Sequence, residues 1–318
     1  MAAEAVVFEV SPGGAPASVQ SLRSEIREAV HSAGAVLIRG FGELGVDEFE
    51  TVAEVIFEDV LTGNGEHEPV ADSTVVQTPV PFNRGQKLLW HNENSFNQRW
   101  PLLLMFSPTV VATSGGQTPL TDSREMLKVL DPKIVELFRE RGIAYIRRFG
   151  DGIGLPWQKI FGTESPAELE CRTKAEGIEL LWGEERKLTT KSVRPAIVEH
   201  PLNGELAWFG QPAHWHRECL DEETREALID VLGADNLPRD CTFGDGTAIA
   251  DSIMEEIVAA YESIEYSFDW VVGDVLIVDN VLTSHARNAY EGPRRLMVAM
   301  GDRCEFADGL SVETRRIA

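Results

Sequence analysis

The stretch Trp90-His91-Asn92-Glu93-Asn94-Ser95-Phe96, taken with His285 far downstream, decides how the rest of the chain is read. In an extended segment alternate side chains share a face, so His91 and Glu93 project together while Asn92 turns away. A third ligand has to come from another strand. His285 follows the apolar run Val275–Val278, inside Asn280-Val281-Leu282-Thr283-Ser284-His285. Two imidazoles and one carboxylate are the ligand set of the facial triad, which holds non-haem Fe(II) on one side and leaves the other side open. A lone His-x-Glu is more often a hydrogen-bonded pair, so the surroundings must carry the reading.

Other histidines compete. His214-Trp215-His216, followed by Cys219, has the look of a zinc site, but no second Cys or His pair is placed to complete four ligands. His214 and His216 are therefore expected to be packing residues near an aromatic cluster. His200 precedes Pro201 at a turn and is expected to be structural. His67 lies in a Gly/Glu-rich loop, where exposure is the expectation.

Composition narrows the partners. The 318 residues carry 52 Asp and Glu against 29 Lys and Arg, a formal charge of −23. Such a surface repels phosphate backbones and anionic bilayers, so neither nucleic acid nor membrane is an expected partner. Cys171, Cys219, Cys241 and Cys304 form no C-x-x-C pair and fit free thiols in a reducing cytoplasm. The first residues have no basic region followed by an apolar one, and no apolar run approaches the roughly 18 residues of a membrane span.

Helical spacing (Leu22, Ile26, Val30) predicts a helix over Val19–Ser32, after an irregular lead-in at residues 1–17. Ala35–Gly40 reads as a buried strand, and Asp47–Val60 as a helix with Asp47 as its N-cap. From about residue 75 short β-rich runs alternate with turn signals: Val75–Thr78, Lys87–His91, Leu102–Val111, Ala144–Phe149, Ala196–Glu199, Glu205–Phe209, Tyr266–Val272, Asp274–Asp279 and Arg295–Gly301. Helical inserts are expected at Ser123–Arg141, Pro166–Ala175, Asp221–Leu232 and Ala250–Ser263. The expected class is mostly β with peripheral helices: a double-stranded β-helix, or jelly-roll, core over about 75–305. Residues 1–60 pack on it, and 1–318 form a single domain.

Beyond His285 stands Gly292-Pro293-Arg294-Arg295-Leu296-Met297-Val298-Ala299-Met300, with Arg295 ten residues from the histidine. An arginine in an apolar strand is costly to bury unless a carboxylate meets it. Arg294 and Arg295 point to opposite faces, and the row Arg295, Met297, Ala299 is taken as the inner one. An inward arginine near iron is what a dicarboxylate co-substrate requires.

With these residues in place, the chain resembles the Fe(II)/2-oxoglutarate dioxygenases of the taurine dioxygenase (TauD/TfdA) superfamily, in particular the clavaminate synthase-like branch with its biosynthetic amino-acid hydroxylases. The resemblance runs through Ala35–Gly40, His91–Phe96, Gly115-Gly116-Gln117-Thr118, Phe243-Gly244-Asp245-Gly246 and His285–Gly301. It implies that His91, Glu93 and His285 ligate Fe(II), that Arg295 holds the distal carboxylate of 2-oxoglutarate, and that Thr118 adds a hydroxyl bond to it. It also implies a cytoplasmic enzyme of specialised-metabolite (antibiotic) biosynthesis that consumes O2 and 2-oxoglutarate, releases succinate and carbon dioxide, and hydroxylates an unactivated C–H bond. Two departures matter. Glu93 stands where many members carry Asp, and Ala299 stands where many carry a second arginine. Related halogenases have a small residue at the position of Glu93, so its carboxylate argues against halogenation. Desaturation and epoxidation use the same oxidant and stay open.

The substrate is less legible. An amino acid needs a carboxylate anchor, for which Arg84, Arg99, Arg147, Arg148 and Arg287 are candidates, and an ammonium anchor, for which Glu125, Asp151 and Asp245 are. Asn94, Ser95 and Phe96 follow the ligands and are expected to line the pocket. Related enzymes act on aminoacyl groups tethered to a carrier protein; the basic run Arg186–Arg194 is the one dense patch for such a partner, and free and tethered substrates stay balanced. A cupin-like metalloenzyme that does not use 2-oxoglutarate is the other reading of the triad, and Arg295 with Thr118 separates the two.

Overall fold

A computed structural model describes residues 5–10, 15–62, 67–150 and 152–317. Its main sheet runs in the order Val6–Glu9, Ala35–Arg39, Val275–Asp279, Arg99–Val110, Arg295–Phe306, Gln77–Thr78, Glu68–Pro69, with Thr314–Arg316 beside Arg295–Phe306. The first pair is parallel and the others antiparallel. The lead-in thus contributes an edge strand, Val6–Glu9, where an irregular segment was expected. Leu88–His91, Thr283–Arg287 and Leu120–Asp122 form a smaller sheet, and Ile178–Trp182, Leu188–Arg194, Ile143–Phe149 and Arg239–Phe243 another. The jelly-roll core is as expected, but helix and strand contribute in about equal measure. Of Tyr266–Val272 only Tyr266 pairs, as an isolated bridge to Leu120.

The two faces of the main sheet bury different rows, as the period of two demands. Val36, Ile38, Leu103, Met105, Ile277, Met297 and Ala299 pack outward against the helices Ala15–Ala33 and Val46–Ile56. Leu37, Leu104, Phe106, Leu276, Val278, Leu296, Val298 and Met300 form the inner face. The row Met297, Ala299 therefore belongs to the helix layer and not to the interior.

Helix starts follow capping chemistry. Val46–Ile56 begins after Gly45, one turn position earlier than an Asp47 cap; the Glu48 carboxylate accepts from the Gly45 N–H at 2.9 Å, and Asp47 and Glu48 face the positive helix end. The insert Ser123–Arg141 is two helices, Ser123–Val129 and Pro132–Arg141, capped by Asp122 and Asp131. Proline is tolerated in a first turn and not in a helix interior, which is why the break falls before Pro132.

Where Val275–Asp279 ends, a buried carboxylate holds three parts of the chain. Asp279 Oδ1 accepts from the N–H groups of Val281 and Leu282 at 3.0 and 3.1 Å. Its Oδ2 accepts from His31 Nδ1 at 2.8 Å and His200 Nε2 at 2.9 Å. His200 is thus structural, and His31 ties the first helix to the same point. Burial alone would raise the Asp279 carboxyl, but the hydrogen bonds from His200 and His31 outweigh it and hold it at about 2. A carboxylate depressed on folding stabilises fully above its unfolded value of about 4 and loses that contribution as pH falls toward the folded value. Urea unfolding of the wild type and of Asp279→Asn should therefore show a stability gap that is constant above pH 4 and shrinks between about 4 and 2. A gap that does not change with pH would remove this account.

Candidate metal and co-substrate site

The strand Leu88–His91 ends at His91, and residues 93–96 form a turn. His91 and Glu93 therefore meet at a strand-to-turn junction and not by strict alternation along one strand. Asn94 has a left-handed φ of 58°, and Asn97 N–H donates to the Asn94 carbonyl at 2.9 Å. His285 lies opposite His91 in the antiparallel pairing of Thr283–Arg287 with Leu88–His91. Ligand atoms of His91, Glu93 and His285 all lie within 4.8 Å of one another. His91 Nε2 is 3.9 Å from Glu93 Oε2, and the His91 and His285 ring centroids are 4.2 Å apart.

Two asparagines fix this junction. Asn92, fully buried, donates to the Asn280 carbonyl at 2.7 Å, and its Oδ1 accepts from Gly210 N–H at 3.0 Å. Asn280 Oδ1 accepts from Glu93 N–H at 2.7 Å; its Nδ2 donates to the carbonyls of Glu93 and Pro101, both at 2.9 Å. Ser95, also fully buried, is bonded by Gln211 Nε2 at 3.2 Å. It braces the turn, whereas Asn94 and Phe96 line the neighbouring cavity.

The donor set suits a divalent ion. The Leu89 carbonyl takes His91 Nδ1 at 3.0 Å, leaving Nε2 toward Glu93. His285 Nδ1 is buried with no hydrogen-bond partner. Burial holds His91 below its ordinary value, and burial with the neighbouring His91 and His214 holds His285 well below, so both are the neutral ligand form. His214 is closer than a packing role required: its ring lies 4.2 Å from His91, and Nε2 bonds the same Leu89 carbonyl at 2.6 Å. His216 bonds the Ile249 carbonyl, and Trp215 packs on Phe96 and Tyr145. His67 is half-buried rather than exposed, near enough for its charge to act on His91 and His285.

The burial of this arginine pair differs from the expectation: Arg295 is exposed and Arg294 is half-buried. A bulge between Arg295 and Leu296 shifts the register, so Arg295 pairs with Val110 and Arg294 precedes the strand. Arg294 Nε donates to the Gly116 carbonyl at 3.1 Å, and no carboxylate pairs with it among the described residues. Burial lowers its guanidinium to about 10, with Arg287 adding repulsion. Gly116 has a φ of 74°, and a Cβ there would sit 3.1 Å from Arg294, so glycine makes room for the guanidinium. Thr118 is buried nearby in sequence, its hydroxyl accepting from Trp270 Nε1 at 3.1 Å.

Of two substrate candidates, Asp245 is turned to solvent, and Arg287, two residues beyond His285, is engaged by the chain itself. Asp245 is an exposed turn residue bonded to Thr247, 3.7 Å from Arg141. Arg287 is committed to the carbonyls of Asn83 and Arg84 and stacks near Phe82 and Tyr290. Glu125 pairs with Lys128, and Asp151 lies outside the described residues. The run Arg186–Arg194 contains an interior strand whose alternate residues are buried, with Arg194 bonded to the carbonyls of Phe96 and Glu176. Arg194 is thereby withdrawn from the surface, while Lys187 is exposed and Lys191 half-buried.

The Asn280 clamp can be tested directly. Asn280→Ala removes two bonds to Glu93 in the ligand turn and one to Pro101, and should weaken Fe(II) binding by roughly 10–100-fold, the usual effect of losing a group that orients a ligand. Competition titration against a metal-binding dye reads this, and unchanged affinity would show that the turn holds itself.

Comparison with known proteins agrees with this geometry. Residues 7–300 match the family model described as taurine catabolism dioxygenase TauD, TfdA family. The dapdiamide synthesis protein DdaC of Enterobacter agglomerans is 35% identical over 280 residues, covering 87% of this chain and 84% of its own. A clavaminate synthase-like protein of Arabidopsis thaliana is 27% identical over 298 residues, 89% of this chain and 86% of its own. Among solved structures, an asparagine oxygenase complex with Fe(II), hydroxyasparagine and succinate superposes with TM-score 0.55 at 13% identity, covering 90% of this chain and 79% of that one. PvcB of Pseudomonas aeruginosa gives 0.54 at 15% identity, covering 93% and 85%. The chain belongs to the TauD/TfdA family and is an Fe(II)- and 2-oxoglutarate-dependent dioxygenase.

Proposed function

We propose that this enzyme hydroxylates an unactivated C–H bond of an amino acid or amino-acid derivative, in biosynthesis, and that the substrate enters free. The observation that carries the reading is a cavity of about 350 Å³ lined by Asn94 and Phe96, residues of the turn that carries Glu93. Aromatic side chains including Phe96, Tyr145 and Trp215 wall it, and Arg99, Arg147 and Arg303 put cationic groups on it that suit the carboxylate of an amino-acid derivative. Relatives named for dapdiamide synthesis and asparagine oxygenation support an amino-acid-like substrate. Of the basic run Arg186–Arg194, Arg194 is buried and bonded to backbone carbonyls, which takes one charge from a carrier-docking patch.

In this reading His91, Glu93 and His285 hold Fe(II), and Arg294 with Thr118 takes the distal carboxylate of 2-oxoglutarate. Bound iron with 2-oxoglutarate and oxygen supplies the oxidising power for C–H cleavage. The chain's own part is positional. Asn280 and Asn92 set the ligand turn, buried imidazoles stay unprotonated, and the aromatic wall excludes water from the reacting carbon.

Two experiments test it. Anaerobic Fe(II) followed by 2-oxoglutarate should give a weak visible band that His91→Ala lacks, and amino-acid derivatives that perturb it should yield succinate and a product heavier by one oxygen atom. A product lighter by two hydrogens would favour desaturation, and no band with iron loaded would return the directly substrate-binding metalloenzyme. Arg294→Ala should raise the 2-oxoglutarate requirement by roughly 10–100-fold, the loss expected for a charge-assisted hydrogen-bonded pair. Arg295→Ala should leave it unchanged; the reverse pattern would restore Arg295 as the anchor.

A further inference from the structure

Two polar side chains at this cavity have no partner. Gln77 is only 3% exposed, and its Oε1 is buried without a hydrogen bond. Its backbone is fixed in the sheet, paired with Val298 on one side and Pro69 on the other, so the amide is held in place. A buried acceptor of this kind is normally satisfied, and each exception requires an account. Arg303, half-buried, lines the same cavity, and its guanidinium pairs with no group among the described residues. Buried or half-buried arginines elsewhere are engaged: Arg27 with Asp302, Arg124 with Asp122, Arg194 with backbone carbonyls.

The charged neighbours narrow what would fit. Arg99 lies 3.3 Å from Glu176 and 3.6 Å from Glu305, so it is already neutralised, and so is Glu176. The lining holds Arg99, Arg147 and Arg303 against the single carboxylate of Glu176. What remains unmet is a guanidinium fork, which matches a carboxylate, and an amide acceptor, which needs an N–H. A positive rim disfavours an ammonium as the source of that N–H and favours a neutral amide.

We propose that Gln77 and Arg303 form a substrate-anchoring subsite that takes a carboxylate and the amide N–H beside it, so that the preferred substrate is an N-acylated amino acid or peptide-like derivative. The assignment rests on the proposed amino-acid reading and narrows it. Arg303 takes the carboxylate, and Gln77 Oε1 accepts the adjacent N–H. The far end of the molecule then runs past Met300 and Asn94 toward Glu93. Both residues act by positioning the substrate.

N-acetylglycine, glycine and N-acetylglycine methyl ester, each titrated into the iron-loaded enzyme with 2-oxoglutarate under anaerobic conditions, test this by ligand-observed saturation-transfer NMR. N-acetylglycine should bind, and the ester and glycine should bind at least about tenfold more weakly, since each lacks one half of the charge pattern. Arg303→Gln and Gln77→Leu should each weaken N-acetylglycine about tenfold or more while keeping the wild-type melting temperature. Equal binding in both variants, or no preference over the ester, would overturn the subsite, and a preference for glycine would overturn the N-acyl assignment. The visible band of the same samples keeps the two readings apart. A wild type that lacks the band loses the oxygenase reading, whereas variants that keep the band and bind unchanged remove only the anchor.

Discussion

The structure depends on one asparagine side chain held away from water. Asn280 joins the end of the central strand Val275–Asp279 to the turn that carries Glu93 and to the start of Arg99–Val110 at Pro101. A buried amide leaves its partners unsatisfied if it moves, so the low dielectric that makes the arrangement costly to break also makes it singular. Its neighbour Asp279 performs the same service for the opposite side, gathering the first helix through His31 and the Ile197–Trp208 hairpin through His200. Two consecutive residues thus secure the metal turn and the outer layer. The geometry of the triad is a property of the sheet and not of the loop that bears it.

The triad itself was legible because its chemistry needs rare residue types in a fixed order. His91, Glu93 and His285 converge as read, although the stated reason, alternation along one strand, held only up to His91, where the turn begins. Which member of the Arg294–Arg295 pair is the more buried was not legible: Arg294 is half-buried and Arg295 exposed. Parity along a strand cannot be assigned from sequence when both rows are apolar: Met297 and Ala299 face a helix layer, Leu296 and Val298 the interior, and each looks equally buried. The tether on Gly116 that marks Arg294 as inward is a contact between residues far apart in the chain.

The substrate side failed for related reasons. Asp245 and the run Arg186–Arg194 were read from local composition: Asp245 is an exposed turn residue, and Arg194 is buried in a sheet strand. His214 carried a usable signal, a histidine beside an aromatic cluster, but its contact with His91 depends on a turn that folds back over Leu89. Gln77 and Arg303 carry none: a glutamine in a two-residue strand and an arginine near a strand end are ordinary until the cavity they both line is seen.

The basic recess within a chain of net charge −23 has a kinetic meaning. An anion approaching from solution meets the repulsion of the acidic exterior only within a screening length, about 8 Å at physiological ionic strength. In the recess the local field of Arg99, Arg147 and Arg303 takes over. Salt therefore has opposite effects on the two halves of the encounter, hastening approach while loosening the final hold. The protein's surface disfavours anions in general, and its concavity admits those that fit.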